Sequence, residues 1–402
     1  MSTLSGFIEG IPGISVDRFL DRNREESKQF FLSHCHSDHM LGLNLSESLP
    51  GPLYTSTISA VFLKHRYPQL IGNIKTLDIG EPTNITTQPK LRVTTIPAGH
   101  CPGSVMFLFE TDDNRNILYT GDFRLSPKDL RNLLALRKIE LDVLYLDTTF
   151  FSKQYRYFPP QTQSLNKIVQ LSREWLALHE RNVISIKLPA LYGSEFLFIE
   201  LANQLEQKIH VRHEELQNYR FLAQLDEAVT SRTNETRIHA CLRTSFNQYR
   251  KLPCRPELDS MHIRVIKPSA LRWKNLSIGD PFWERLGEEG QQFSVCYSNH
   301  ASFEELEDFV RYLLPKEVRF NVTPKNDSEG SEMRSLLGTI LVNNETFASD
   351  VDFGKTDGND AILKFERIVY QKSARKISSP LSDEEISDEE MVLGLLPKRI
   401  RS

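Results

Sequence analysis

The segment HCHSDH, residues 34–39, holds three histidines and an aspartate directly after a short apolar run. Where a strand runs into a turn, His34 and His36 can face one point while Asp38 and His39 turn towards a second. Neutral imidazoles and carboxylates suit zinc, and two neighbouring ions can stabilise both sides of a phosphoryl displacement. The alternative is a polar loop that is rich in histidine by chance, which this ordered spacing disfavours. The segment therefore predicts a metal site with two ion positions.

Two turn motifs further along the chain supply more ligand types. PAGHCPGS places His100 in a turn rich in Gly and Pro, and YTGDF places Asp122 after another apolar run. Each motif is common in turns and is weak evidence by itself. In this order and at these intervals, the two motifs and HCHSDH together form a specific pattern of metal ligands.

Size and composition indicate a globular chain. With 402 residues, 39% of them hydrophobic and 25% charged, the chain can form two domains, or one large domain with an insert. No apolar run is long enough for a membrane span, and the start, MSTLSGFIEG, lacks the pattern of a secretory signal. The net charge of -4 disfavours a protein that coats DNA, so an enzyme acting on nucleic acid must concentrate positive charge locally.

Cysteine usage indicates a reducing compartment. The chain has five cysteines, an odd and sparse number that does not form a disulfide framework. They are Cys35, Cys101, Cys241, Cys254 and Cys296. Three of them lie within a few residues of motifs that contain histidine, which favours metal chemistry over simple core packing.

Apolar patterns predict the order of the elements. The first 150 residues contain β-rich runs, at Gln29–Ser33, Leu91–Ile96, Val105–Phe109, Asn116–Thr120 and Val143–Leu146. Strands and helices then alternate, which predicts βαβ units and a partly parallel sheet. The predicted strands are Val183–Leu188, Ile209–Val211, Ile263–Ile266 and Ser294–Tyr297. The predicted helices are Gln161–His179, Ser194–Glu206 and Phe303–Leu314. Beyond about Pro324 the pattern fades.

The end of the chain is predicted to be a disordered tail. From Ser373 onward, acidic runs around Ser379, Ser382 and Ser387 precede the basic end PKRIRS. These serines resemble sites for kinases that recognise acidic sequences. We expect that removal of the residues after 372 spares basal activity.

The motifs together resemble the β-CASP group of metallo-β-lactamase nucleases, and within it the branch that repairs DNA double-strand breaks. The resemblance rests on SVDRF, LSHCHSDHM, PAGHCPGSVMFLF, LYTGDFRL, LYLDTTF, IHAC, KLPC, IKPS and a final histidine, His300, and covers roughly residues 10–325. It implies an α/β fold, a metallo-β-lactamase αββα sandwich with an inserted β-CASP α/β domain. The implied division is 1–155 for the first part of the sandwich, 156–290 for the insert, 291–345 for the return to the sandwich and 346–402 for a largely disordered tail.

The same resemblance implies the roles of the ligands at a cleft between sandwich and insert. The first metal position takes His34, His36, His100 and Asp122, and the second takes Asp38, His39 and His300 with Asp122 bridging. Asp17 and Asp147 match acidic positions expected to orient ligand rings through hydrogen bonds. Catalysis is thus assigned to Asp38, His39, Asp122, His300, Asp17 and Asp147. By its pattern alone, His300 is read more readily as a core histidine near a strand end.

A second, structural zinc site is predicted from His210, His239, Cys241 and Cys254. Two histidines and two cysteines form a closed tetrahedral shell, and the resemblance includes such a site in the insert. His213 is an alternative to His210, which lies 29 positions before His239. Alternatively, Cys241 and Cys254 are small buried hydrophobes.

Substrate contacts and substrate class follow from three further positions. The resemblance implies that Lys187 and Lys267 contact substrate phosphates; the alternative is that both are solvated surface lysines. Relatives that cleave RNA carry another histidine about 22 positions after the one that matches His300, and this chain has Val322 there. The position therefore favours DNA over RNA.

We accordingly expect a nuclear, metal-dependent deoxyribonuclease that leaves 5′-phosphate products. By resemblance it would combine 5′–3′ exonuclease activity with cutting at single-stranded, hairpin, overhang and flap ends, in non-homologous end joining. The expected cofactors are one or two catalytic Zn²⁺, with Mg²⁺ or Mn²⁺ as alternatives for the second, and one structural Zn²⁺. A DNA-dependent protein kinase and an end-joining ligase are candidate partners. Alternatives are an RNA-processing endonuclease of the same group, a non-catalytic scaffold of a repair complex, and a small-molecule hydrolase such as a glyoxalase or lactamase.

Overall fold

The computed structural model describes most of the first 342 residues. The described residues are 4–45, 47–86, 90–126, 129–130, 133, 136, 139–188, 193–241, 251–287 and 291–342. The predicted tail, 346–402, lies outside the described residues.

The described chain folds into short strands joined by loops and helices. The strands are β1 (Ile14–Val16), β2 (Gln29–Phe31), β3 (Leu53–Ser56), β4 (Ile74–Leu77), β5 (Thr83–Ile85), β6 (Leu91–Pro97), β7 (Val105–Thr111), β8 (Asn116–Tyr119), β9 (Val143–Leu146), β10 (Val183–Ile186), β11 (Ile209–His210), β12 (Val229–Thr230), β13 (Ile238–His239), β14 (Ile263–Pro268), β15 (Trp283–Leu286), β16 (Gln292–Val295) and β17 (Glu317–Phe320). The α-helices are α1 (Asp21–Glu26), α2 (Thr57–Arg66), α3 (Gln161–Leu178), α4 (Glu195–Leu205), α5 (His213–Tyr219), α6 (Ala223–Ala228), α7 (Phe303–Leu313) and α8 (Asp327–Val342).

Two of the sheets face each other across an apolar core. The first has the order β1-β2-β3-β4 and is parallel throughout, and the second has the order β17-β9-β8-β7-β6-β5. Val16 and Phe31 from the first sheet pack with Phe107, Tyr119 and Tyr145 from the second. Alternating side chains of both sheets fill this core because successive residues of a strand point to opposite faces.

Helices cover the outer faces of both sheets. Ile58, Phe62 and Leu63 of α2 pack in one cluster with residues of β2 and β3. On the other side, α7 and α8 contribute to a cluster that also contains Leu118 and Leu144 of the six-stranded sheet. The layers are therefore helix, sheet, sheet and helix, the predicted αββα sandwich.

The third sheet has the order β12-β11-β13-β10-β14-β16-β15. Six of its strands run parallel, and β15 pairs antiparallel with β16 at one edge. Helices α3 and α4 pack on it through apolar residues such as Leu165, Ile168 and Leu197. The predicted alternation of strands and helices with parallel pairing is confirmed here.

Most predicted elements are present, with ends that differ by one or two residues. Predicted strands such as Gln29–Ser33 and Val183–Leu188 end two residues earlier, at Phe31 and Ile186.

Although the apolar pattern fades beyond Pro324, α8 occupies Asp327–Val342. This helix buries only Gly330, Met333, Leu336 and Ile340, and acidic residues occupy its first turn. Its apolar stripe is narrow, and contact with α7 and the six-stranded sheet stabilises it more than local sequence does.

Across the described residues, no helix combines the length and apolarity that a membrane crossing requires.

Candidate metal centre and substrate cleft

The predicted ligands lie at the ends of strands. Asp17 follows β1, the HCHSDH segment follows β2, and His100 lies in the turn between β6 and β7. Asp122 follows β8 and Asp147 follows β9. His300 lies on the loop between β16 and α7. Because these ends meet at one edge of the fold, residues far apart in sequence form one cluster.

Three imidazole nitrogens converge on one point. His36 Nδ1 lies 3.0 Å from His34 Nε2 and 3.0 Å from His100 Nε2. Asp122 Oδ2 lies 3.7 Å from His34 Nε2 and 3.6 Å from His100 Nε2. Zinc bonds of about 2.0–2.1 Å place tetrahedral ligand atoms roughly 3.3 Å apart, so the four atoms fit one zinc ion.

Hydrogen bonds fix the tautomers that this fit requires. His34 Nδ1 donates to Ser33 Oγ at 2.9 Å, and His100 Nδ1 donates to Asn299 O at 2.9 Å. Each Nε2 therefore carries a lone pair, and both lone pairs point towards His36 Nδ1. The lone pairs of His34 Nε2 and His100 Nε2 thus point to one place, as the ligands of a single cation do.

A second group of ligand atoms lies on the other side of Asp122. Its Oδ1 is 3.3 Å from His39 Nε2, and its Oδ2 is 3.9 Å from His300 Nε2. Asp38 Oδ2 lies 3.8 Å from His39 Nε2. His39 Nε2 is buried and makes no hydrogen bond to the described residues. Asp122 thus faces both groups, as expected of a bridging ligand.

Asp17 holds His39 from behind. Its Oδ2 accepts from His39 Nδ1 at 2.8 Å, from Ser33 Oγ at 2.6 Å and from Tyr119 Oη at 3.0 Å. Its Oδ1 accepts from Ser33 N at 2.7 Å. Asp17 adopts φ 55, a left-handed conformation that costs energy for a residue with a Cβ. The hydrogen bonds maintain it and orient the His39 ring.

Asp147 orients the His300 ring as Asp17 orients the His39 ring. Its Oδ2 accepts from His300 Nδ1 at 2.8 Å, and its Oδ1 accepts from the backbone and hydroxyl of Thr149. The core histidine reading of His300 is therefore wrong, because its Nε2 faces Asp122 and its side chain is 25% exposed. The structure brings Asp17 and Asp147 to the positions expected of orienting carboxylates.

Electrostatics keep the first group in the state that ligates metal. Burial, followed by the nearby His39, lowers the pKa of His34 well below its ordinary value. Burial and His300 lower the pKa of His100 in the same way. Burial opposes the charge of Asp122, but His39 and His300 hold its pKa well below the ordinary value. Neutral rings and a charged carboxylate are the forms that bind a metal ion.

The other predicted metal group also comes together. His239 Nδ1 lies 3.1 Å from His210 Nδ1 and 3.5 Å from Cys254 Sγ, and Cys241 Sγ lies 3.5 Å from Cys254 Sγ. The side chain of His213 instead faces Gln217, at 3.0 Å, so it does not replace His210. All four atoms lie within 4.8 Å of one another, a spacing that matches a closed zinc shell.

The two cysteines hydrogen-bond each other. Cys241 Sγ donates to Cys254 Sγ, and this hydrogen bond lowers the pKa of Cys254 and raises that of Cys241. A cysteine of lowered pKa beside two histidines favours a metal site over a pair of ordinary buried hydrophobes.

The two predicted phosphate lysines lie on neighbouring parallel strands. Ile186 of β10 pairs with Ile266 of β14, so Lys187 and Lys267 follow at the same edge. Lys187 is only 2% exposed, so it is not a solvated surface lysine. Burial, followed by Lys267, lowers the pKa of Lys187. The charge of Lys267 lowers the pKa of Lys187, so this edge of the sheet is electropositive and suited to a phosphate.

Sequence reasoning missed a buried arginine. The guanidinium of Arg124 donates to Ser298 O, to Pro159 O and to the carboxylate of Glu305. It thus fixes the His300 loop to the end of β8, two residues after Asp122. The sequence signal was the arginine in LYTGDFRL. A charged residue that follows an apolar strand so closely is stable when buried only if it is paired.

The loop after His300 is fixed by a helix cap. Ser302 Oγ accepts from Glu305 N, and the Glu305 carboxylate accepts from Ser302 N at 2.7 Å. This capping box starts α7 two residues after His300. The ligand is therefore attached to a defined helix end.

Family models match both parts of the chain. "Beta-lactamase superfamily domain" matches residues 21–181, and "DNA repair metallo-beta-lactamase" matches residues 223–326. The chain therefore contains a metallo-β-lactamase domain and a region of the DNA repair metallo-β-lactamase family. The chemistry of this family implies divalent metal ions, and the His and Asp clusters are candidate sites for them.

Curated relatives agree with this membership. "Protein artemis" of Gallus gallus is 34% identical over 362 aligned residues, which cover 84% of this chain and 50% of that protein. "Protein artemis" of Homo sapiens is 35% identical over 353, covering 81% and 50%. "5' exonuclease Apollo" of Gallus gallus is 32% identical over 320, covering 77% and 62%. The chain spans about half the length of the artemis relatives.

Proposed function

We propose that the protein is a metal-dependent nuclease that hydrolyses DNA phosphodiesters and leaves 5′-phosphate ends. Its activities would be 5′–3′ exonuclease and cleavage at single-stranded, hairpin, overhang and flap ends, in double-strand-break repair. The observation that carries this proposal is Asp122, whose carboxylate lies 3.3–3.7 Å from nitrogens of His39, His34 and His100. Asp38 and His300, both 25% exposed, leave this cluster accessible to a substrate.

The donor set fits zinc at the first position, His34, His36, His100 and Asp122. The second position, Asp38, His39, Asp122 and His300, is richer in carboxylate oxygen, so Mg²⁺ or Mn²⁺ are alternatives to zinc there. We assign a structural zinc to His210, His239, Cys241 and Cys254, whose shell has no open position.

When bound, the ions supply Lewis acidity at the phosphate and lower the pKa of water. The chain supplies position and charge. Asp17 and Asp147 hold His39 and His300 with each Nδ1 protonated, so that each Nε2 faces the cluster. Asp122 balances part of the positive charge from a buried position.

The net charge of the chain is -4, so positive charge for binding DNA must be local, and Lys187 and Lys267 would supply it. Both follow strands at one edge of the third sheet, where an entering backbone phosphate would neutralise their mutual repulsion. Because such contacts release counterions, binding should weaken as salt increases.

A single position favours DNA over RNA. Val322 N and O both hydrogen-bond the hydroxyl of Thr148, the residue after Asp147. Position 322 therefore lies beside the metal cluster, and valine offers no imidazole there.

We assign residues 1–155 and 291–345 to the sandwich and 156–290 to the β-CASP insert, except that β16 pairs with β14 and β15 of the third sheet and belongs with the insert. The match to a family model described as DNA repair metallo-beta-lactamase supports a nuclear site of action. A DNA-dependent protein kinase and an end-joining ligase are candidate partners.

The test is purified full-length protein assayed on end-labelled hairpin DNA, flap DNA and RNA of matched sequence, with Zn²⁺, Mg²⁺ or Mn²⁺ added. We expect metal-dependent cleavage of both DNA forms and products with 5′-phosphate ends. The His36→Ala variant, purified in the same way, serves as the matched inactive control because it lacks one proposed metal ligand. Faster cleavage of the RNA would replace the proposal with an RNA-processing enzyme. Binding of DNA without cleavage under any metal would favour a scaffold.

A further inference from the structure

A glycine of the third-sheet region lies directly against a metal ligand of the sandwich. Gly193 has φ +105, and a Cβ built on it would lie 3.0 Å from Asn299 Nδ2 and 3.3 Å from His36 Nε2. His36 Nδ1 faces His34 and His100, so His36 Nε2 lies on the side of the ring that points away from the ligand cluster. The backbone of Gly193 therefore supports the His36 ring from behind.

Both backbone groups of Gly193 are held by side chains. Its N–H donates to Glu195 Oε2 at 2.8 Å, and its carbonyl oxygen accepts from Asn299 Nδ2. Glu195 Oε1 accepts from Tyr219 Oη at 3.1 Å. A fully buried carboxylate of α4 thus joins Gly193 to α5.

Asn299 connects this contact to a second ligand. Its backbone oxygen accepts from His100 Nδ1, and its side-chain Oδ1 accepts from Gln161 Nε2 at 3.0 Å. Gln161 begins α3 and also donates to Ser298 O at 2.7 Å. The insert therefore reaches both His36 and His100 through residues that bind no metal themselves.

A buried carboxylate at position 195 is costly to maintain. Burial, with a smaller contribution from Glu215, raises the pKa of Glu195 to about 7. Glu195 forms none of the ion pairs seen between described residues, in contrast to Glu215, which pairs with Arg212. A costly buried acid in a cleft is a marker of function more often than of stability.

We propose that Glu195 is a positioning residue through which the insert fixes the metal ligands His36 and His100 of the sandwich. Glu195 sets the position of Gly193, and Gly193 with Asn299 limits the two rings to the orientation that places His36 Nδ1 beside His100 Nε2. The proposal rests on the proposed function only in taking these histidines as metal ligands.

The test measures metal affinity in the full-length, zinc-loaded protein. Zinc that a mild chelator removes is titrated back against a fluorescent zinc chelator. Loss of an orienting residue typically weakens metal binding by about 10–100-fold, and we expect this range for Glu195→Ala. Glu195→Gln should remain within about threefold of wild type, since its amide can accept from Gly193 N and donate to Tyr219 Oη.

Glu215→Ala is the matched control. It removes another buried glutamate of the insert, one that pairs with Arg212 and caps α5, and we expect unchanged affinity for the labile zinc. If Glu195→Ala does not fold, Tyr219→Phe removes only the hydroxyl that donates to Glu195 and should weaken the affinity in the same direction.

Three results would overturn the proposal: wild-type affinity in folded Glu195→Ala, an equal loss in Glu215→Ala, or a loss in Glu195→Gln as large as that in Glu195→Ala. Wild-type protein that binds labile zinc but cleaves no nucleic acid contradicts the proposed function alone. The affinity series still decides the role of Glu195 in that case.

Discussion

The two metal clusters of this protein use the same histidine chemistry to different ends. At the catalytic cluster, a carboxylate, Asp122, faces two groups of imidazoles, and the rim residues His300 and Asp38 are partly exposed. At the insert cluster, two imidazoles and two thiols face one point and leave no position for a substrate. An open shell that holds two ions suits hydrolysis, whereas a closed shell stabilises a fold.

The support behind the ligands differs as well. In the catalytic cluster, Asp17 and Asp147 each hold one ring in a fixed tautomer. In the insert cluster, His210 and His239 are held by strands β11 and β13, which pair at these two residues. Under the proposed roles, hydrogen bonds orient the ligands of the reactive site, whereas paired strands position the histidines of the structural site.

The largest expected effect is loss of catalysis without loss of fold. Asp122→Asn should lower cleavage by at least roughly 10³-fold, because the bridging charge between the two ion positions is gone. The amide has nearly the same shape, so circular dichroism and the structural zinc content should be unchanged. Near wild-type turnover of folded, metal-loaded Asp122→Asn protein would contradict the assigned bridge.

Substitution of a ligand in the insert cluster should lower stability more than it lowers activity. A structural zinc contributes on the order of 10 kcal/mol to folding, so Cys254→Ala should lower the melting temperature by roughly 5–10 °C and lower the yield of soluble protein. Specific activity of the folded fraction should fall less. The measurements are calorimetry and elemental analysis, and Cys296→Ala, at a buried cysteine outside both clusters, is the control. An unchanged melting temperature and zinc content in Cys254→Ala would mean that the two cysteines are ordinary buried residues.

A smaller loss of activity is expected at Asp147, which orients a metal ligand but is not itself assigned as a ligand. Asp147→Asn keeps a group that can accept from His300 Nδ1 but removes the charge, and we expect roughly 10–100-fold lower activity. Higher metal concentration should restore part of this activity, whereas it should not restore activity in Asp122→Asn. Equal, irreversible losses in both variants would show that Asp147 does more than orient the ring.

Much of the site could be predicted from the sequence because its ligands are of rare types in short motifs. His34, His36 and His39 lie within one turn segment, and the family pattern connects them to His100 and Asp122. His300 was predictable only from that pattern, since a single histidine after a strand has no local signal.

The rest depended on contacts between distant residues. Glu195 forms part of α4 by sequence, and only the fold places its carboxylate against Gly193 and Tyr219. Arg124 reaches Glu305 across 181 positions. Helix α8 was missed because packing on α7, rather than a strong amphipathic pattern, stabilises it.

The central claim is that one cluster is an open catalytic site and the other a closed structural one, and anomalous diffraction at the zinc edge tests it directly. In crystals of the full-length protein grown with zinc, we expect peaks among His34, His36, His100 and Asp122 and among His210, His239, Cys241 and Cys254. A brief soak in a mild chelator should remove the first peak and leave the second. Retention of the first peak with loss of the second, or no density beside Asp122 in zinc-loaded crystals, would contradict the account.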